Sequence, residues 1–134
     1  MNVQEDQARD FIAKNHRAVM GTIRSDGMPQ MSNVAQAYVD GAIEVSTREP
    51  SAKVRNLHRD PRVTVLVLGD ESWYQYVVAY GHAEIIDLPE AAPRLRKIYE
   101  TVAGQPHPNW EEFDQAMVDE QRVVLRISID RLVS

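Results

Sequence analysis

Residues 45–67, VSTREPSAKVRNLHRDPRVTVLV, run from the end of one β-branched segment through a basic loop and a short polar helix into a second β-branched segment. Within 46–63, Arg48, Lys53, Arg55, Arg59 and Arg62 stand against Glu49 and Asp60, a charge of +3 in a chain whose formal net charge is −5. The positive charge is therefore local, and the remainder of the sequence carries −8. Pro50 followed by Ser51 is a helix-start signal, and it predicts a helix beginning near residue 50 with Pro50 at about its first position. The first turn of a helix leaves backbone N–H groups unpaired at the positive end of its dipole. Ser51 adds a hydroxyl there, and Lys53 and Arg55 add cationic donors, which together make a socket for an anion such as a phosphate monoester. The competing reading is a solvated basic face on a surface helix. Crowded like charges favour the socket, because an anion offsets their mutual repulsion.

Working outward, RVTVLVLG (62–69) and WYQYVVAYGHAEIID (73–87) read as central strands. On the N-terminal side, RAVMGTIR (17–24), QMSNVAQAYV (30–39) and AIEVST (42–47) are strand-like segments separated by SDGMP and DG. Asp26-Gly27 and Asp40-Gly41 supply the positive φ angles of tight turns, so these segments form an antiparallel meander. Ala8, Phe11 and Ile12 predict a first helix over 4–15. Leu95, Ile98, Tyr99 and Val102, followed by Gly104, predict an amphipathic helix over 90–104, and Trp110, Phe113 and Met117 mark another over 109–117. RVVLRISIDRL (122–132) closes as a strand. The expected class is mainly β with some α: about six antiparallel strands in a small closed or half-open barrel with peripheral helices.

With 134 residues, 43% of them hydrophobic, the chain is expected to form one domain over 1–134. No apolar run approaches a membrane span, and the polar start MNVQEDQARDF is unlike a secretory signal, so the expectation is a cytoplasmic protein without membrane contact. The absence of cysteine excludes disulfides, thiolate metal sites and cysteine nucleophiles. Overall acidity argues against nucleic-acid binding. His16, His58, His82 and His107 are scattered with no pair at helical ligand spacing, so no metal site is expected. No G-x-S-x-G elbow, P-loop or G-x-G-x-x-G occurs, and Glu44, Glu84 and Asp87 show no spacing that pairs carboxylates, so no catalytic residue is assigned.

VSTREPSAKVRNLHRDPRVTVLV followed by WYQYVVAYGHAEI resembles the split β-barrel flavoprotein superfamily that includes pyridoxamine 5′-phosphate oxidase. GTIRSDGMPQMSNV and EPSAKVRNLHRDPRV are similar to the actinobacterial flavin/deazaflavin oxidoreductases that use coenzyme F420, and the resemblance spans roughly residues 8–132. It implies a cofactor phosphate on Ser51, Lys53, Arg55 and Asn56, flanked by Ser46, Thr47 and Arg48. Met31, Ser32, Asn33 and Val34 would line the tricyclic ring through backbone groups, with Thr22 nearby. A homodimer is implied, with two sites between protomers and Trp73, Tyr74 and Tyr76 as the partner's contribution.

Each of these has an alternative reading. Strand alternation places Tyr74, Tyr76 and Tyr80 on one face and Trp73 with Val77 on the other, so the aromatics equally suit core or interface packing. Met31 suits the core as well as the ring, and Thr22 and Ser32 suit a solvent-facing strand. The chain stops at IDRLVS without the C-terminal arginine/histidine motif that grips the vitamin's phosphate, so pyridoxamine phosphate oxidation is not expected; part of a pocket wall would also be supplied otherwise. The reading that follows is F420-dependent hydride transfer to a small unsaturated or heteroaromatic substrate. An FMN-dependent oxidoreductase and a non-catalytic cofactor carrier are the alternatives. Arg59, Arg62, Lys14 and Arg17 are further basic groups for the anionic tail of F420.

Overall fold

The two Asp-Gly turns set the meander. Asp40 (φ 49°) and Gly41 (φ 81°) both lie in the left-handed region, which closes a two-residue hairpin between β3 (Ala37–Val39) and β4 (Ala42–Arg48). At the first turn Gly27 takes φ 87°, and the Met28 N–H donates to Asp26 Oδ1 at 3.0 Å. That turn joins β1 (Arg17–Ile23) to β2 (Pro29–Ala35). The computed structural model describes residues 3–134. Its other elements are α1 (Val3–Lys14), α2 (Ala52–Arg59), β5 (Arg62–Leu68), β6 (Tyr76–Ile86), α3 (Ala92–Ala103), α4 (Trp110–Asp119) and β7 (Arg122–Val133). The strands form one antiparallel sheet in the order β2-β1-β5-β6-β7-β4-β3. It curls until β2 comes against β4, giving a half-open barrel.

The barrel is filled from strand alternation. Val63, Val65 and Val67 of β5 point inward with Met20, Ile43, Val45, Leu125 and Ile127, and Ile12 of α1 plugs one end. α2 contributes Val54 and Leu57, one turn apart, to the same core. Each such side chain stabilises by about 1.5–3 kcal/mol when fully buried. A second apolar layer lies outside the barrel, where Leu95 and Ile98 of α3 and Phe113 of α4 cover Ala37, Ile86 and Val124. The α3 layer is also tied by charge: buried Glu44 of β4 accepts through Oε2 from both Arg94 of α3 and Arg126 of β7.

Among the described residues the helices therefore cover the outer face of β3, β4 and β7 and the end of β6 at Ile86, and leave that of β2, β1, β5 and the first part of β6 uncovered. Val19, Leu66, Val78 and Val133 follow one another in register across β1, β5, β6 and β7 on the bare side. Gly81 marks a bulge where β6 meets β7, and a Cβ there would stand 1.9 Å from Ser128 O. Only glycine permits that approach.

Three expectations are corrected. The predicted strand over 30–39 is two strands, which makes seven where about six were expected. The break falls at Gln36, whose N–H donates to His16 O. Its side-chain amide donates to Ile12 O and Asn15 O, so the end of α1 draws the chain out of the sheet. The long strand begins at Tyr76, not residue 73; Trp73 and Tyr74 lie in the β5–β6 connection, 81% and 86% exposed, and are not on opposite strand faces. Ser51, not Pro50, opens α2: its extended backbone and hydroxyl make it the N-cap, with Val54 N–H donating to Ser51 Oγ, and Pro50 lies one residue before it.

Candidate functional site

The capping geometry leaves the first-turn N–H groups of Ala52 and Lys53 without intrahelical acceptors, beside the end of β4. Lys53 is half-buried here and makes no hydrogen bond or ion pair among the described residues. Burial, and second the Arg122 guanidinium, push its ammonium below the usual lysine range. Arg122 opens β7 directly across from Arg48. Its Nε and Nη2 donate to Glu120 Oε1 at 3.0 and 2.9 Å, which holds the guanidinium in place.

Lys53 and Arg122 line an open cavity of about 500 Å³, together with Ser46 and Thr47 of β4. Asn33, Val34 and Ala35 of β2 form one side. β2 is an edge strand bonded only to β1, so its other edge presents unpaired backbone N–H and C=O groups. α3 and α4 contribute an apolar wall, Leu95, Ile98, Tyr99, Val102, Ala103, Phe113 and Met117. Among the described residues, no aspartate or glutamate lines the cavity. In a chain with more acids than bases, a cavity lined by two cations and by no described acid attracts anions.

Of the residues picked from the sequence, Lys53, Ser46, Thr47, Asn33 and Val34 meet in this cavity. Ser51 caps α2, and Arg55 reaches back to donate to Pro50 O at 2.9 Å. Arg48 is exposed beside Arg122. Thr22 and Asn56 are buried against each other: Asn56 Nδ2 donates to Thr22 Oγ1 at 3.0 Å, and Thr22 donates to Gln30 Oε1 at 3.1 Å. This chain of bonds fixes α2 to β1 and β2. Ser32 Oγ is buried without a hydrogen-bond partner, an orphaned polar atom on the predicted ring-binding strand. Met31 is exposed on β2 next to Gly21, and Tyr76 is exposed at the start of β6. Thr22, Met31, Ser32, Arg48, Ser51, Arg55, Asn56, Trp73, Tyr74 and Tyr76 do not line the cavity of one chain.

Sequence reasoning missed Arg122 and the α3–α4 wall. The stripe Leu95-Ile98-Tyr99-Val102 is legible as an apolar helix face, but nothing in its spacing separates the part that packs from the part that borders a cavity. Arg122 stands 69 positions beyond Lys53 in the sequence, and only the β4–β7 pairing joins them. Elsewhere, His58 meets Glu49 and His82 meets Asp130 at the surface. No group of three or more His, Asp or Glu suited to a metal occurs among the described residues, and no described helix is long and apolar enough to cross a membrane.

The residues fit a phosphate-bearing cofactor: an unpaired cation at a helix start, a second cation beside it, a free strand edge and an orphaned serine hydroxyl. Comparisons with known proteins agree with the architecture. The family model for pyridoxamine 5′-phosphate oxidase matches residues 4–133. A conserved hypothetical protein from Mycobacterium tuberculosis is 30% identical, with a TM-score of 0.80 over 98% of this chain and 82% of that one. A structure described as F420 reductase is 20% identical, with a TM-score of 0.71 over 93% of this chain and 94% of that one. A heme binding protein from Mycobacterium smegmatis is 20% identical, with a TM-score of 0.76 over 98% of this chain and 53% of that one. The last two likenesses concern the fold. With nearly its whole length matched and its sheet curled as a split barrel, the chain belongs to the pyridoxamine 5′-phosphate oxidase family, whose fold is that of flavin-binding oxidoreductases.

Proposed function

We propose that this chain is a cytoplasmic, homodimeric oxidoreductase that binds coenzyme F420 and transfers a hydride between it and a small unsaturated or heteroaromatic substrate. The observation that carries the reading is Lys53, among the described residues a half-buried ammonium with no acidic partner at the first turn of α2, in a cavity free of carboxylates. Lys53 and Arg122 hold the cofactor phosphate, with the Ala52 and Lys53 N–H groups and the hydroxyls of Ser46 and Thr47 available beside them. The free edge of β2 at Met31–Val34 meets the polar rim of the ring, and the orphaned Ser32 hydroxyl lies on that strand. Exposed Arg48 adds a third cation next to Arg122, which suits the carboxylate tail of F420 better than the compact FMN phosphate. The fold likeness to an F420 reductase points the same way. FMN is the second reading, because the Lys53–Arg122 corner serves its phosphate equally well.

When bound in reduced form, the deazaflavin supplies a hydride from its ring. The protein's part is to fix the anionic end, hold the ring on β2 and keep water off with the apolar α3–α4 wall. No side chain is assigned as acid or base; the acceptor's proton comes from solvent. The bare outer face of the sheet is the natural place for a second copy, whose Trp73, Tyr74 and Tyr76 would complete the pocket.

Fluorescence titration with F420 and with FMN at fixed salt tests the reading. Tight F420 binding with weak FMN binding supports it; the reverse makes this an FMN protein, and binding of neither removes the assignment. Lys53→Ala should weaken the bound cofactor by about 1.5–3 kcal/mol while leaving the fold intact.

A further inference from the structure

A chain of side-chain hydrogen bonds leads from α2 across β1 to β2, and every bond in it points the same way. Arg59 Nη2 donates to Asn56 Oδ1 at 3.1 Å, and Asn56 Nδ2 donates to Thr22 Oγ1 at 3.0 Å. Thr22 Oγ1 donates to Gln30 Oε1 at 3.1 Å, and Gln30 Nε2 donates to Met31 O at 3.1 Å. The direction is fixed by the two ends. A guanidinium can only donate and a backbone carbonyl can only accept, so each amide has one orientation and the Thr22 hydroxyl has one place for its proton. Thr22 is fully buried and Asn56 is 8% exposed. Bonds aligned head to tail away from water polarise one another, and the cation at the head strengthens the first of them.

The chain joins the two parts of the site that a phosphate-bearing ring must reach together. On α2, Asn56 lies one turn after Lys53, and Arg59 also donates to Ile23 O at 2.7 Å, which pins the end of the helix to β1. Gln30 and Met31 belong to β2, an edge strand paired with β1 alone, and the orphaned Ser32 hydroxyl follows on the same strand. An edge strand is held from one side only, so the Thr22–Gln30 bond is a tie that backbone pairing does not provide. Thr22, Asn56 and Gln30 do not line the cavity themselves. The resemblance drawn from the sequence puts Asn56 among the phosphate contacts, whereas its amide here faces Arg59 and Thr22.

We infer that Asn56, Thr22 and Gln30 are positioning residues that couple the Lys53–Arg122 corner to the β2 edge, so that an anion at the corner and a ring on β2 strengthen each other's binding. This rests on the cofactor occupying both places, as proposed above. An anion on Lys53 and the first-turn N–H groups restrains α2. Through Asn56 and Thr22 that restraint reaches Gln30 and the Met31 carbonyl, so the strand edge is already ordered when the ring arrives. The effect is reciprocal, because a coupling free energy belongs to both sites.

The test titrates three probes: inorganic phosphate, the ring without its phosphate (riboflavin, or the corresponding phosphate-free deazaflavin), and the intact cofactor, F420 or FMN. Thr22→Val keeps the buried shape and removes both bonds of the hydroxyl. In that variant phosphate alone and ring alone should each bind within about twofold of the wild type, whereas the intact cofactor, which spans both places, should lose about tenfold. Thr22→Ser, which keeps the hydroxyl, should restore most of the loss. Gln30→Met breaks the last link at a half-buried position and should act as Thr22→Val does. A second readout needs no cofactor. In amide NMR spectra inorganic phosphate should shift the Ala52 and Lys53 signals and also those of Met31 and Ser32, and in Thr22→Val the Met31 and Ser32 signals should stay still. Equal losses for all three probes, no loss for any, or a loss that Thr22→Ser does not restore overturns the inference. So does phosphate that leaves Met31 and Ser32 unmoved in the wild type. If a cofactor binds with an affinity independent of Thr22, the inference falls and the function reading stands. If neither F420 nor FMN binds, yet phosphate moves Met31 and Ser32 in a Thr22-dependent way, the coupling stands and the function reading falls.

Discussion

Lys53 feels two opposing demands. Folding puts its ammonium in a half-buried place near another cation, and both effects lower its pKa. The unfolded chain therefore binds the proton more readily than the folded one between the lowered value and the ordinary lysine value. Stability of the free protein should rise with pH across that window. Binding of an anion needs the charged form, so cofactor affinity should fall over the same window. Thermal unfolding of the free protein and cofactor titration, each followed from neutral to alkaline pH, should thus move in opposite senses. In Lys53→Met the alkaline gain in stability should disappear; a gain of the wild-type size in that variant would show that another group is responsible. The sequence revealed Lys53 as a charge near a helix start, but its burial and its neighbour Arg122 arise from the β4–β7 pairing.

At the scale of elements, α3 is the piece whose attachment matters most, because it forms the larger part of the wall. Its apolar stripe was legible from spacing alone. Its clamp was not: Glu44 reads as one acid in a strand, and the structure buries it completely between Arg94 and Arg126. Removing one partner of a fully buried pair costs about 3–5 kcal/mol, but Arg94 and Arg126 are 40% and 26% exposed, so water compensates part of the loss and about 1–3 kcal/mol is expected. Glu44→Gln should therefore lower the urea midpoint, with an unchanged slope. A loss smaller than about 1 kcal/mol would mean that the Leu95, Ile98 and Phe113 packing holds the layer without the clamp. The strand over 30–39 fails at Gln36 for a related reason: local alternation continues through it, while its amide and N–H are taken by α1.

For the whole molecule, the decisive asymmetry is that helices cover one part of the outer sheet face and, among the described residues, none covers the other. Antiparallel sheets commonly turn a polar face to water, yet Val19, Leu66, Val78 and Val133 form an apolar row there, with Tyr76 and Tyr80 45% and 43% exposed nearby on β6. In a two-fold dimer each residue of that row is buried twice, but Val19, Leu66 and Val78 are already partly buried in the single chain, so each contributes only a fraction of the about 1.5–3 kcal/mol of a fully exposed side chain. Leu66→Glu should convert a dimer to monomers in sedimentation velocity, and cofactor affinity should drop with it if the partner's aromatics complete the pocket. A dimer that survives this substitution would place the interface elsewhere.

What the sequence determined by itself is what local chemistry dictates. The Asp-Gly turns and β-branched alternation specified an antiparallel barrel, the serine after Pro50 marked a helix start, and the charge count located the basic corner. Tertiary structure decided everything that depends on partners far apart in the chain. It brought Arg122 to Lys53, split a strand at Gln36, freed Trp73 and Tyr74 from β6, and set the α3–α4 wall into one cavity with β2. Spacing along a chain encodes which face of an element is apolar, whereas which other element meets that face is fixed only when the sheet curls and every face competes for cover.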